Sequence, residues 1–424
     1  MIFKVIWWSI KIIGVCLLVA IISNQEGITE IEWIGWKMEV PTSILIGGLI
    51  ILILIILWIY NLWKIILNLP SKIISMIREN RRESGYNALA YGLVASSAGD
   101  VESAQKYAAQ AKRLLDNKEL TEMLSAHAAH LSGDKNAALE YFNSLSERKN
   151  TKFHGQLGLM RLAIESNNHD EALNRARIAS NIQPRNPKLN SMLVMMEAKQ
   201  KNYEKSIEAL QKARRIGSIE ETRAQQLAAS LYTKIGLKKL EENELNEAEK
   251  SLSLALREKT DFIPAVIALS KIFIGKENQR KALSLLSKTW KVQPHPEIAK
   301  TLKLIWKNER SSSNIANLIN LTDDNAKAQA RYIIADEAIS AGLTGEAKDQ
   351  LNKVLSEEYN ATYYQLKSRL AYKSDDKTTS NQELEKALNA PPSQRWGCSS
   401  CGITAENWEI RCNNCDKIGT FNWI

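Results

Sequence analysis

Four of the five cysteines of this chain stand in its last 27 residues, as Cys398-Ser-Ser-Cys401 and Cys412-Asn-Asn-Cys415, with ten residues between the pairs. Two tight turns, each offering a thiolate pair, can close a tetrahedron around one soft divalent ion. Gly402 follows the first pair, where the backbone of such a turn takes φ > 0, and Asp416 holds the matching place after the second. Four thiolates leave a Zn²⁺ site with about −2 formal charge, which Arg411 and Lys417 are placed to offset. Zinc is the expected ion, and iron held in the rubredoxin manner is the alternative that uses the same ligands. Protein supplies all four positions and leaves none for a substrate water, so the expected role is structural. A thioredoxin-like redox pair would need a βαβ context that this tail lacks.

A tail of roughly 30 residues cannot fold on burial alone, so metal binding and folding should be coupled. Trp396, Trp408, Phe421 and Trp423 supply its apolar remainder. They are more large aromatics than a ribbon core needs, and some are expected to dock onto the rest of the chain or onto a partner. The fifth cysteine, Cys16, lies in an apolar stretch and is expected to be packed or lipid-facing and inert.

What positions this tail is a long chain of folded composition: 424 residues, 45% hydrophobic and 24% charged, too many for one ordinary domain. The net charge of +9 is spread through mixed-sign helical stretches with no nucleic-acid module beside it, so nucleic acid is not an expected partner. Val40 to Trp63 runs for 24 residues without a charge, enough for a helix to cross a bilayer core of about 30 Å. An earlier stretch, Val5 to Ile22, is also long enough, with Lys11 expected to snorkel to the headgroups. A signal peptide is the competing reading of that stretch, but it lacks a clean small-residue cleavage site. Residues 23 to 42 carry four Glu and one Lys, whereas Lys64 to Arg82 has five basic residues against Glu79. The positive-inside rule therefore keeps the basic flank and all that follows in the cytoplasm, where disulfides are not expected. The short alternating EIEWIGWKMEV reads as a small outward hairpin, with Trp33 and Trp36 near the interface.

From about Gly85 to Asn389 the pattern is helical and repeats. Small residues early in each second helix recur as Ala104, Ala138, Ala172 and Ser206, each 34 residues after the last. The register resumes at Ala248 after a step of 42, continues at Ala282, and has a further instance at Ala347. Ala111, Ala179, Ala213 and Ala255 lie two turns further on, and Pro184 and Pro294 mark helix exits. Leu145 and Thr289 depart from the small-residue pattern, and the 42-residue step implies a longer first helix or an insertion near Lys238 to Glu244. The pattern resembles the tetratricopeptide repeat. A 34-residue helical pair cannot bury its apolar face alone, but a stack of roughly seven to nine makes one core with an inner binding surface.

The domain reading is therefore a membrane anchor at 1–70, with spans at about 5–22 and 43–65 and an outward loop at 23–42. A basic juxtamembrane linker at 71–85, a repeat solenoid at 86–390 and a four-cysteine ribbon at 391–424 follow it. The fold class is all-α with a small zinc-ribbon-like module. No catalytic constellation stands in the repeats, so no enzyme is expected. Of the five histidines, only His127 and His130 are close enough to share a helix face. A haem or porphyrin carrier would have to draw its axial ligand from them.

Two spans joined by the GITEIEWIGWKMEV loop, a basic juxtamembrane helix, a solenoid and the RWGCSSCG, RCNNCD and GTFNW tail together resemble the HemY family of proteobacterial inner-membrane proteins, in its alphaproteobacterial form. That resemblance implies a multi-pass inner-membrane protein whose solenoid and C-terminus lie in the cytoplasm. It implies a scaffold linked to haem and tetrapyrrole biosynthesis, with the late enzymes of that pathway as partners. Nothing here resembles a GxGxxG fingerprint, which excludes the unrelated flavoenzyme protoporphyrinogen oxidase. The anchor, repeats and four-cysteine tail are also similar to LapB, an adaptor that regulates proteolysis in lipopolysaccharide synthesis, although two spans rather than one argue against it.

Overall fold

The computed structural model describes residues 13–14, 21, 27–307, 309–323 and 326–424. The first span, with Lys11 and Cys16, lies outside the described residues apart from positions 13, 14 and 21. The chain divides into two compact units, Met1–Ala138 and Leu139–Ile424.

The first unit opens with strands β1 (Ile28–Trp33) and β2 (Trp36–Pro41), paired antiparallel with Trp33 opposite Trp36. Ile34 and Gly35 make the turn at φ 50° and 81°, the two positive angles that a tight two-residue hairpin requires. Helix α1 (Thr42–Ala98) follows and is 57 residues long. Its stretch Thr42–Lys64, 23 residues, is long and apolar enough to cross a membrane, and none of it is buried by protein. The helix runs on without a break through residues 71–85 and ends at Gly99, whose φ of 79° closes the last turn. Ala88 and Ala95 of α1 pack with Ala104, Ala108 and Ala111 of α2 (Val101–Leu114) and with Leu124 and Ala128 of α3 (Lys118–Leu131). These small residues let the helices approach closely enough to share one core.

The second unit begins within α4 (Lys135–Glu147). It continues through α5 (Lys152–Glu165), α6 (His169–Ile182), α7 (Pro187–Lys199), α8 (Tyr203–Arg215), α9 (Glu221–Glu241), α10 (Leu245–Glu258), α11 (Ile263–Gly275) and α12 (Gln279–Val292). Then come α13 (Pro296–Ile305), α14 (Ser311–Asn320), α15 (Ala328–Ser340), α16 (Thr344–Asn352), α17 (Ala361–Lys373) and α18 (Lys377–Asn389). Successive helices fold back on one another, which makes this unit a helical solenoid of tetratricopeptide type.

A second periodic signal accompanies the small residues. Gly99, Gly133, Asn167, Lys201, Asn243, Glu277, Gly342 and Asp375 all take positive φ. Each lies five residues before a buried small residue: Ala104, Ala138, Ala172, Ser206, Ala248, Ala282, Ala347 and Ser380. The left-handed residue ends the first helix of a pair, and the next residue often caps the second, as Asn168 does by accepting the Glu171 N–H at 3.2 Å. The 42-residue step arises because α9 is 21 residues long, where the other first helices near it have 13 or 14. Leu145 is tolerated because the close approach moves to the facing helix. A Cβ on Gly155 would lie 2.4 Å from Ser146 N, and one on Gly158 would lie 2.1 Å from the Phe142 ring.

At Glu277 the left-handed turn is strained, with φ 59° on a residue that carries a Cβ. Relief of about 1–2 kcal/mol against roughly 0.4–1 kcal/mol of added unfolded-state entropy predicts that Glu277→Gly stabilises the chain by about 0.5–1 kcal/mol. The check is a higher urea midpoint at unchanged m-value; a lower midpoint would show that the turn is not left-handed.

After α18 the chain forms a three-stranded antiparallel ribbon of β3 (Trp396–Cys398), β4 (Thr404–Ala405) and β5 (Phe421–Trp423) in the order β4-β3-β5. Trp396 sits opposite both Ala405 and Trp423. The ribbon is part of the second unit's core. Ile410 and Ile418 belong to the cluster built by α5 to α9, while Trp396, Cys398, Cys412 and Phe421 belong to the one built by α11 to α17.

Candidate metal centre

The two CxxC turns have matching geometry. Gly402 N–H donates to Cys398 O at 2.9 Å with φ 74° at Gly402, and Asp416 N–H donates to Cys412 O at 2.9 Å with φ 59° at Asp416. Glycine takes this angle freely, whereas Asp416 takes it at some cost. The turns face each other so that Cys398 Sγ lies 3.7 Å from Cys415 Sγ and Cys401 Sγ lies 3.6 Å from Cys412 Sγ. All four sulfurs fall within 4.8 Å of one another. A tetrahedron with metal–sulfur bonds of about 2.3 Å has sulfurs roughly 3.8 Å apart, so the four cysteines are close enough to hold a metal ion, and the set suits zinc.

The protonation of the thiols points the same way. Burial opposes ionisation of Cys398, but the Thr420 hydroxyl and the backbone N–H groups of Ser400 and Cys401 outweigh it and bring the thiol down to about 6. The Cys415 backbone N–H favours a thiolate at Cys412, yet burial and the neighbouring Cys401 and Cys415 sulfurs push that thiol up to about 11. The protein alone therefore does not stabilise four thiolates together, and a metal ion bound there would supply the missing charge.

The basic residues near the cluster differ from the sequence expectation. Arg411 donates from Nε to the Asp416 carboxylate, which also pairs with Lys199 of α7, so Arg411 is engaged across the second turn. The solenoid supplies a cation whose charge interacts with that of Cys398. Arg223 on α9 donates to Gly419 O and Ile418 O, each at 2.5 Å. Burial lowers its pKa and the charge of Cys398 acts in the opposite direction. Gly419, at φ 61°, lets the ribbon backbone come against α9, where a Cβ would meet Leu227 Cδ2 at 3.0 Å.

The aromatic residues of the tail are used in cis. Trp408 packs edge-on to Phe262 at 5.5 Å between ring centres, beneath Lys234 Nζ at 5.3 Å. Trp396 is buried against His295 at 5.6 Å, and Trp423 meets the same imidazole at 4.2 Å. Phe421 is buried in the ribbon core beside Cys398. The ribbon thus lies across α7, α9, α11 and the start of α13, the first helices of four successive pairs. His127 and His130 stand half-buried on α3, each with an interaction of its own.

His295, the imidazole that Trp396 and Trp423 meet, carries no sequence signal that ties it to the tail. Its Nδ1 accepts the Glu297 N–H at 3.1 Å and caps α13. Burial holds its pKa down at about 4. The unfolded chain, with an ordinary imidazole near 6.5, takes up the proton first, so this contribution is complete above pH ~6.5 and is lost as pH falls towards 4. Between pH 7 and pH 5 the expected loss is about 2 kcal/mol. His295→Asn keeps a capping oxygen and removes the titration. Its urea midpoint should fall less steeply over that window than the wild-type midpoint, and parallel slopes would refute the assignment.

The fold and site define a tetratricopeptide-type solenoid that carries its own four-cysteine ribbon on the first-helix face. Residues 27–133 match the family described as HemY protein N-terminus, so the chain carries that domain. A probable magnetosome protein, Mms48 of Magnetospirillum gryphiswaldense, is 28% identical over 102 residues, 24% of this chain and 23% of that one. The chain therefore spans about a quarter of the length of that curated relative. Among solved structures, a tetratricopeptide repeat protein from Parabacteroides merdae is 16% identical, covering 56% of this chain and 93% of that one at a TM-score of 0.28. The MamA protein is 15% identical, covering 46% of this chain and 98% of its own at a TM-score of 0.26. At these scores the fold assignment rests on the repeat geometry of the chain itself.

Proposed function

We propose that this protein is a non-enzymatic scaffold, anchored in the bacterial inner membrane, whose solenoid gathers partner proteins in the cytoplasm and whose ribbon is held by a structural zinc ion. The observation that carries this reading is the seating of the ribbon on α7, α9, α11 and α13. It leaves a composite surface of repeat helices and ribbon in which all four cysteines face one another rather than a substrate. Anchoring is supported by the exposed apolar stretch Thr42–Lys64 and by the basic residues that follow it. The HemY N-terminal domain supports partners among the late enzymes of haem and tetrapyrrole biosynthesis.

Affinity capture of the full chain from detergent-solubilised native membranes, with Cys398→Ser beside it, tests the reading. Enrichment of porphyrin-oxidising or ferrochelatase-type enzymes is expected, and their loss in the variant would place their docking on the ribbon surface. Recovery of a membrane protease or lipopolysaccharide enzymes instead would contradict the haem link and favour a LapB-like adaptor.

A further inference from the structure

The hairpin β1–β2 has two unlike faces. Residues directly opposite each other in an antiparallel pair share a face, and the faces alternate along each strand. By the register, Glu30 and Glu39, Glu32 and Lys37, and Ile28 and Pro41 at the base fall on one side. That side carries all the charge, and Lys37 Nζ meets the Glu32 carboxylate at 2.7 Å. Thr29 and Val40, Ile31 and Met38, and the position of Trp36 fall on the other. This side carries no charge, yet Ile31, Trp36 and Met38 are exposed, Trp36 to 80%.

Ile34, at the tip, is ill suited to a hairpin in water. It takes φ 50°, where Asn, Asp or Gly is the usual choice and a β-branched residue is strained. Its side chain is also 88% exposed, so nothing within the described residues repays that strain. A lone two-stranded hairpin is marginal in water without a cover for its apolar face. What adjoins this one is the apolar stretch Thr42–Lys64. Thr42 donates from its backbone N and from Oγ1 to Gly27 O, at 2.9 and 2.7 Å, and its hydroxyl meets Thr29 Oγ1 at 2.8 Å. The base of the hairpin is thus tied to the first residue of the span.

We propose that the hairpin is an interfacial foot, with Ile31, Trp36, Met38 and the tip residue Ile34 inserted at the boundary of headgroups and acyl chains in the leaflet opposite the solenoid. Glu30, Glu32 and Glu39 then face water. The inference rests on the membrane anchoring proposed above. Lipid is the occupant because the apolar face begins where the exposed span begins, and because only Thr29 on it offers a polar side chain to fix a protein partner's register. Tryptophan is also the side chain that favours this boundary.

Cysteine variants of the full chain in spheroplasts, treated with a membrane-impermeant maleimide, test the two faces from outside. Each labelling rate is divided by the same variant's rate in detergent. Ile31→Cys and Met38→Cys should label about tenfold or more slowly than Glu30→Cys and Glu39→Cys, since apolar surroundings raise a thiol's pKa and each unit removes about nine-tenths of the thiolate. The unmodified protein in nanodiscs, irradiated with a phospholipid bearing a diazirine high on its acyl chain, should gain adducts at Ile31, Ile34, Trp36 or Met38 as well as within Thr42–Lys64. Equal rates on the two faces would overturn the proposal. Adducts confined to Thr42–Lys64 would overturn it too and assign the cover to protein. Alternation seen only in inverted vesicles would uphold the foot and reverse the topology of the scaffold reading. No adduct even within Thr42–Lys64 would refute the anchoring and the foot together.

Discussion

Cys412→Ser is expected to strip the metal from the protein and the ribbon from the solenoid together. The wild-type chain should carry one metal ion and the variant none. Structural zinc sites contribute on the order of 10–16 kcal/mol in zinc-finger peptides, far more than a tail of about 30 residues gains from its own burial. Loss of one ligand also leaves three crowded thiols with no cation to balance them. Protease should then cut within 391–424, and the near-ultraviolet signal of Trp396, Trp408 and Trp423 should fade. The far-ultraviolet helical signal should largely persist, because α4 to α18 keep their own caps and small-residue contacts. Thermal stability should still fall, since Ile410, Ile418, Trp396 and Phe421 leave the clusters they share with the helices. Unchanged metal content in the variant would remove the site.

Arg223→Ala should undock the ribbon without emptying it. The guanidinium makes two hydrogen bonds to the Ile418 and Gly419 carbonyls. A bond to a charged group contributes about 1.5–3 kcal/mol, and both carbonyls lose their donor when the side chain goes, so docking should weaken by about 3–5 kcal/mol. Metal stoichiometry should stay at one, which separates docking from metal-coupled folding. Hydrogen exchange across 395–424 should accelerate by about two to three and a half orders of magnitude in the variant, the fold-change that such an energy implies. Arg223→Lys should recover part of the protection, because one ammonium cannot reproduce the forked pair of bonds. Exchange rates equal to wild type would mean that the clamp does not hold the ribbon.

Different parts of this architecture were legible in the sequence for different reasons. The Ala and Ser anchors were visible because close helix packing admits few residue types, and the four cysteines because metal ligation admits fewer still. The left-handed residues that keep the same period were harder to see, since Lys201 and Glu277 occupy places where glycine is the familiar signal. The basic stretch 71–85 is continuous with α1 although Pro70 precedes it and Gly85 ends it, and the helix closes only at Gly99. What the sequence could not reveal is where the ribbon docks. Arg223 and Gly419 are 196 residues apart, and a surface arginine on an amphipathic helix looks the same whether it faces water or a folded-back tail. His295 reads as an ordinary cap before Pro296 and gains its place in the site only from Trp396 and Trp423. The charge balance of the thiolates was assigned to Arg411 and Lys417 for the same reason, since local spacing cannot show that Asp416 takes the Arg411 side chain.

The central claim, that the ribbon sits on the first-helix face of its own solenoid, is tested most directly by carbodiimide coupling of the unmodified full-length protein. Lys199 Nζ and the Asp416 carboxylate are in contact across that interface. Lys276 and Glu249, at 2.6 Å within the solenoid, provide the internal control. The predicted result is a Lys199–Asp416 isopeptide recovered from the monomer band alongside the control and lost after metal chelation. Formation of the control with no Lys199–Asp416 product, or a product found only between chains, would contradict it.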